Sequence, residues 1–129
     1  MACIDMNREI REHTVYVRQW PAEKAVEMQS KLVASLGETV FPFIMEDTIH
    51  LHDLMQVWGK EDFKDMLFQV IDGCAIDGER VTRMSVSKFF DGDLWFLYEV
   101  FAFVLEIQFR TFFQEGLDKL KSQEQSLSK

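Results

Sequence analysis

The stretch that decides the fold is residues 94–113, LWFLYEVFAFVLEIQFRTFF, in which fifteen of twenty residues are apolar. A membrane-spanning helix needs about twenty apolar residues with almost no charge. Glu99, Glu106 and Arg110 interrupt the stretch, and each charge near the centre of a bilayer costs roughly 2.5 to 3.5 kcal/mol on insertion scales. The sequence therefore predicts a long helix inside a globular protein rather than a membrane span.

The three charged residues of this helix share one narrow stripe. At about 100° per residue, Glu106 and Arg110 fall within about 20° of Glu99, and Trp95 and Phe103 lie close beside that stripe. A helix that is apolar around the rest of its circumference must be covered nearly all round, and a small domain cannot do this completely. We therefore expect a core helix whose remaining aromatic residues form a protein interface. The candidate interface residues are Trp95, Phe103, Phe109, Phe112 and Phe113.

The segments before this helix show helical spacing and local signals for helix starts and ends. Pro21 fits the first turn of a helix that ends at Gly37, and Pro42 must begin or kink any helix over residues 38–47. The other predicted helices run from Asp47 or Thr48 to Trp58, from Glu61 to Ile71, from Ser85 or Ser87 to Phe90, and from an Asp93 cap at Leu94 to about Lys119.

Three short segments favour strands. Thr14–Trp20 is rich in β-branched and aromatic residues, and the Asp77-Gly78 pair favours a tight turn between Cys74–Ile76 and Arg80–Thr82. The fold class predicted is mainly α (α+β): four to five helices around a long central C-terminal helix, with a small antiparallel hairpin or three-stranded sheet.

The length of 129 residues corresponds to about one domain. We expect residues 1–13 to form an N-terminal arm, residues 14–115 to form a single helical domain, and residues 116–129 to form a polar C-terminal tail that frays. The sequence contains neither internal repeats nor a linker rich in proline or glycine.

Charge and cysteine usage limit the partners and the compartment. The net charge of −8 repels phosphate backbones, so nucleic acid is a poor partner. Cys3 and Cys74 lie far apart in the chain, and we expect no disulfide between them. The N-terminus lacks a basic segment followed by an apolar run, which favours a cytoplasmic protein.

The sequence shows little that indicates chemistry. His50 and His52 would diverge by about 200° on a helix, so they cannot share one metal ion there. Cys74 is expected to be a small core residue, since nothing near it indicates an activated thiol. Neither a phosphate-binding loop nor a calcium loop occurs. We therefore predict a non-enzymatic protein without a cofactor or metal.

The order of the parts resembles the tail assembly chaperones of tailed bacteriophages over roughly residues 14–113. The matching parts are Val17–Ala22 leading into a helix that finishes at Leu36-Gly37, the Asp77-Gly78 turn, Phe89–Leu94, and Phe101–Phe109.

This resemblance implies a non-enzymatic role in the cytoplasm of a host bacterium. Such chaperones coat the tape measure protein and help recruit major tail protein around it, and they are absent from the finished virion. The family offers no catalytic residues to carry over. The apolar helix itself favours a homo-oligomer, and the net charge of −8 would aid solubility.

Three other functions stay open on the sequence alone. The first is a structural component of a phage tail or baseplate that is retained in the virion. The second is an acidic mimic of nucleic acid, although the acidic residues are interleaved with Lys and Arg along most helices. The third is an enzyme that uses a metal or the Cys74 thiol.

Overall fold

A computed structural model describes the backbone of residues 5–127 and the side chains of residues 6–123. The strands are β1 (Asp5–Ile10), β2 (His13–Arg18), β3 (Ala75–Ile76) and β4 (Glu79–Arg80). The helices are α1 (Ala22–Leu36), α2 (Phe41–Met45), α3 (Leu51–Trp58), α4 (Phe63–Ile71), α5 (Val86–Phe90) and α6 (Leu94–Leu127). The structure confirms the predicted fold class, which is mainly α with a small antiparallel sheet.

Local signals set both ends of α1 and the start of α6 as predicted. The Asp93 carboxylate accepts a hydrogen bond of 3.2 Å from the Phe96 N–H and so caps α6. The carbonyl of Pro21 accepts from the Ala25 N–H at the start of α1. Gly37 ends α1 with φ of 56°, in the left-handed region that glycine adopts without strain.

The sheet has one strand more than predicted. Its order is β1-β2-β3-β4, and β1 pairs with β2 over six residues from Asp5↔Arg18 to Ile10↔His13. Residues 5–10 of the expected N-terminal arm therefore form an edge strand. The turn between β1 and β2 places Arg11 and Glu12 at φ of 48° and 69° without using glycine, so it leaves no turn signal in the sequence.

The helix after the loop at residues 46–50 starts later than predicted. Asp47 does not cap α3, because its carboxylate instead binds the Arg110 guanidinium at 3.0 Å. The N-terminal flanking residue of α3 is His50. Pro42 lies in the first turn of α2, which confirms that it begins a helix.

The C-terminal helix is longer than predicted. α6 continues beyond Lys119 to Leu127, and the side chains of residues 114–123 are exposed. This segment is rich in Glu, Lys, Gln and Leu, which favour helix even on a polar surface. Residues 116–127 of the expected tail are thus a helical extension of α6, while a single domain at residues 14–115 stays a prediction.

The core surrounds the first half of α6. Phe101 and Leu105 are fully buried, and the Phe101 ring contacts the rings of Phe43 and Phe63 at centroid distances of 5.6 and 5.8 Å. These rings belong to α2 and α4, so these two helices pack against α6. None of the helices within residues 5–127 has the length and apolar character that crossing a bilayer requires.

Candidate protein-binding surfaces

The β1–β2 hairpin covers the charged stripe of α6. Arg8 binds Glu106 at 2.6 Å, and Arg11 binds Glu99 at 3.0 Å. The Arg8 guanidinium also lies over the Phe103 ring, 4.4 Å from its centroid. Phe103, predicted as an interface residue, is only 2% exposed, because the hairpin covers it.

Phe109 is also a core residue. Its ring meets the Trp20 ring edge-on at a centroid distance of 5.9 Å, and only 4% of the residue is exposed. Next to it, buried Gln108 accepts a hydrogen bond of 2.7 Å from the Trp20 N–H and donates one of 3.0 Å to the Arg18 carbonyl. This part of α6 is therefore held against the end of β2 and is closed to a partner.

The other three candidates lie at the surface, in two separate places. Trp95 is 39% exposed at the start of α6, whereas Phe112 is 58% exposed and Phe113 is half-buried near the end of the core. Trp95 and Phe112 are about 25 Å apart along the helix axis. The structure therefore presents two apolar surfaces at opposite ends of the core instead of one.

The first surface is a groove of about 640 Å³ between α3 and the start of α6, which we call the α3/α6 groove. Leu51, Trp58 and Leu94 are 53%, 48% and 63% exposed around it. Buried Leu54 and Phe90 lie at its floor. The full lining consists of Leu51, Leu54, Trp58, Phe90, Asp91, Gly92, Leu94, Trp95 and Tyr98.

The α3/α6 groove has ordered aromatic residues and one acidic residue in its lining. The Trp58 indole N–H donates a hydrogen bond of 3.1 Å to the Tyr98 hydroxyl. Asp91 lines the groove, and its lining contains neither Lys nor Arg. The groove therefore suits an apolar ligand with basic or neutral flanks.

The sequence carries a signal for this groove in α3, outside residues 94–113. Leu51, Met55 and Trp58 follow one another at i, i+4 and i+7, which places them on one stripe of α3. Leu54 and Val57 form the stripe that is buried in the core. The helix α3 therefore carries a second apolar stripe, which the core of the domain does not cover.

The second surface lies between α1 and the last covered turn of α6, and we call it the α1/α6 surface. Val26, Val33, Phe112 and Phe113 line a shallow recess of about 620 Å³. The Phe113 ring packs edge-on against the Phe41 ring at 5.0 Å, which fixes one side of the recess. Phe112 is exposed and Phe113 is half-buried here, and an interface at these residues stays a prediction.

The two histidines of the candidate metal site, His50 and His52, have different partners. His50 lies 3.7 Å from Glu46, while the His52 ring hydrogen-bonds to the Gln56 amide. Among the described residues, no three His, Cys, Asp or Glu side chains gather as a metal site.

Cys74 is a buried residue just before β3, as expected for a core position, although it lies outside the strand. Burial raises the pKa of its thiol to about 12, so the thiolate needed for nucleophilic attack is scarce at neutral pH. Cys3 lies outside the described residues.

A family model described as "Phage tail assembly chaperone protein, TAC" matches residues 11–121, which is most of the chain. Searches of curated proteins and of solved structures returned no match. The family match confirms the resemblance seen in the sequence. The chain belongs to the phage tail assembly chaperone family.

Proposed function

We propose that this protein is a non-enzymatic chaperone that binds the tape measure protein through the α3/α6 groove and helps recruit major tail protein during assembly. The family match supports a role in phage tail assembly. The proposed place of action is the cytoplasm of the host bacterium. The observation that carries the choice of surface is that two tryptophans and a tyrosine line this groove beside exposed leucines.

The composition of the groove supports protein binding. Single exposed apolar residues are common on protein surfaces, but a contiguous cluster rimmed by polar groups is typical of a binding site. Two of the chain's three tryptophans, Trp58 and Trp95, line the groove together with Tyr98. Tryptophan and tyrosine dominate the binding energy at protein interfaces.

The groove is also organised before a partner arrives. The hydrogen bond to the Tyr98 hydroxyl restricts the Trp58 indole, and the Tyr98 ring stacks on Phe63 at a centroid distance of 6.4 Å. Leu54 and Phe90 at the floor are 1% and 2% exposed, so they are fixed by the core. A rigid binding surface loses little side-chain entropy when it is occupied, which favours affinity.

The charge of the groove indicates the kind of client. An amphipathic helix places apolar residues at i, i+3 or i+4, and i+7, and such a stripe fits an elongated apolar groove. The Asp91 carboxylate in the lining favours a basic residue beside that stripe and disfavours an acidic one. The remaining negative charge of the chaperone would keep the complex with an apolar helical client in solution.

Co-expression with the tape measure protein of the same phage tests this function. We expect the chaperone to increase the soluble fraction of the tape measure protein and to elute with it from a sizing column. Unchanged solubility together with separate elution would contradict the proposed function.

The fate of the protein separates a chaperone from a structural component of the tail. A chaperone leaves before the particle is complete, so mass spectrometry of purified virions should detect the tape measure protein without this chain. Stoichiometric recovery of this chain from virions would instead support a retained tail or baseplate component.

A further inference from the structure

The core-facing stripe of α6 continues beyond the core. Four apolar residues share one face of α6, each within about 40° of their mean direction around the helix axis. They are Phe109, Phe113, Leu117 and Leu120. Phe109 is buried and Phe113 packs on Phe41, but Leu117 and Leu120 are 47% and 52% exposed. The same apolar face thus extends two turns past the last element that covers it.

This extension of α6 has little support from its own chain. Residues 113–127 span about 21 Å, and the side chains of residues 114–123 are all exposed. An isolated helix of about 15 residues is marginal in water, because most helix stability comes from packing of its apolar face. Packing against Leu117 and Leu120 would therefore stabilise both the helix and the contact.

The α1/α6 surface supplies a matching recess on the same molecule. Val26 and Val33 on α1 are 64% and 55% exposed, and Phe112 is 58% exposed beside them. When one molecule carries both an apolar projection and an adjacent apolar recess, a two-fold axis can bring each projection into the other copy's recess. Such a self-complementary patch is what a symmetric dimer requires.

The charge of this region favours a second copy over other occupants. α1 carries two acidic and two basic residues, Glu23, Lys24, Glu27 and Lys31. The α6 extension, residues 113–127, carries Glu115, Asp118 and Glu124 against Lys119 and Lys121, a net charge of −1. The two segments together therefore carry only −1 of the chain's net charge of −8, so two copies repel each other little when they meet here. The lining of the α3/α6 groove has Asp91 and neither Lys nor Arg, so it offers an identical chain no such balance of opposite charges.

The exposed apolar area is large enough for a specific dimer. Six side chains are 41% to 64% exposed in this region, namely Val26, Val33, Phe41, Phe112, Leu117 and Leu120. At roughly 100 Å² each, they offer roughly 600 Å² per copy and roughly 1,200 Å² in a symmetric pair, which is the lower end for specific interfaces. Flanking polar residues of the extension would add to this area.

We propose that the α1/α6 surface and the α6 extension form the interface of a two-fold symmetric dimer of this chain. In this dimer, Leu117 and Leu120 of one copy enter the recess beside Val26, Val33 and Phe112 of the other. The α3/α6 groove of each copy stays open, so a dimer presents two client-binding grooves. The dimer rests on observations separate from those that support client binding.

The solution mass of the full chain tests the dimer. Light scattering coupled to a sizing column should give twice the monomer mass of 15.2 kDa for the wild type. The variant L117K/L120K should fall to the monomer mass, because it buries two charges in the contact. The matched control L51K/L94K makes the same change in the α3/α6 groove and should stay dimeric. A wild type that is monomeric at every concentration, or a dimeric L117K/L120K, would overturn the proposal.

Hydrogen exchange provides a second measurement on the unmodified chain. Amides of residues 111–123 should exchange more slowly at high protein concentration than after dilution, since the dimer covers this helix. Equal exchange at both concentrations, while the mass halves on dilution, would place the interface elsewhere and refute the proposal. A monomeric wild type that still binds the tape measure protein would also refute the dimer and leave the proposed function standing.

Discussion

Leu51 and Leu94 face each other across the α3/α6 groove, and replacing both with serine tests whether a client occupies it. Both residues lie outside the core, since they are 53% and 63% exposed. Surface substitutions of this kind usually change the free energy of unfolding by no more than about 0.5 kcal/mol each. The double variant L51S/L94S should therefore fold with nearly the stability of the wild type.

The effect on binding should be much larger than the effect on folding. Complete burial of a leucine side chain is worth about 1.5 to 3 kcal/mol, and roughly half of each side chain remains for a client to cover. We expect the two substitutions to weaken binding by about 2 to 3 kcal/mol in total. This free energy corresponds to a dissociation constant about 30 to 150 times higher.

Calorimetric titration of the chaperone with a purified helical segment of the tape measure protein measures this constant. Trp58 and Trp95 line the groove, so their fluorescence offers a second signal of occupancy. Met84→Ser is the matched control, because Met84 is 98% exposed and is not among the residues that line the groove. Equal affinities for wild type, control and L51S/L94S, with all three equally stable, would refute the choice of this groove.

Three further predictions concern the fold that positions the surfaces. Phe101→Ala should lower the free energy of unfolding by about 3 to 5 kcal/mol in a urea titration, because the ring is fully buried; a loss below about 1 kcal/mol would contradict its place in the core. Gln108→Leu should cost roughly 1 to 3 kcal/mol in the same assay, because the Trp20 N–H loses its 2.7 Å acceptor; stability equal to wild type would show that this hydrogen bond does not support the fold. Asp77 has a lowered pKa, mainly through the hydrogen bond from His13. The ionised carboxylate therefore stabilises the fold above the unfolded pKa of about 3.9, and this stabilisation is lost as the pH falls through the lower folded pKa. The melting temperature of wild type should accordingly fall more steeply below about pH 4 than that of Asp77→Asn, and parallel curves would contradict this role.

The helix boundaries could be predicted because the signals that set them are local. Pro21 and Gly37 delimit α1, and Asp93 caps α6 through a residue three positions away. Each signal acts on its neighbours along the chain, so no knowledge of the tertiary structure is needed. Asp47 shows the limit of such reasoning, because its carboxylate binds Arg110 on a distant element.

Strand β1 could not be predicted because its pattern is unusual. Arg8 occupies a position facing α6, between Met6 and Ile10 in the two-residue alternation of the strand. A charged residue at that position hides the alternation of apolar and polar residues that indicates a strand. Arg11 and Glu12 then form a tight turn without glycine or asparagine.

The pattern of residues 94–113 predicted more apolar surface than a small domain can cover. It placed the uncovered part around the circumference of the helix. The structure covers the circumference from Phe96 to Phe109 and leaves apolar side chains exposed at both ends, near Trp95 and Phe112. The difference arises because the hairpin brings Arg8 over the Phe103 ring. Helix periodicity cannot predict such a contact, because the two residues lie far apart in the chain.

Photo-crosslinking during tail assembly tests the central claim most directly. A photoreactive amino acid at Met55, which is 60% exposed on the stripe between Leu51 and Trp58, should attach this chain to the tape measure protein in infected cells. The same amino acid at Met84 should give little or no attachment. Attachment from Met84 but not from Met55 would contradict the claim that the α3/α6 groove binds the client.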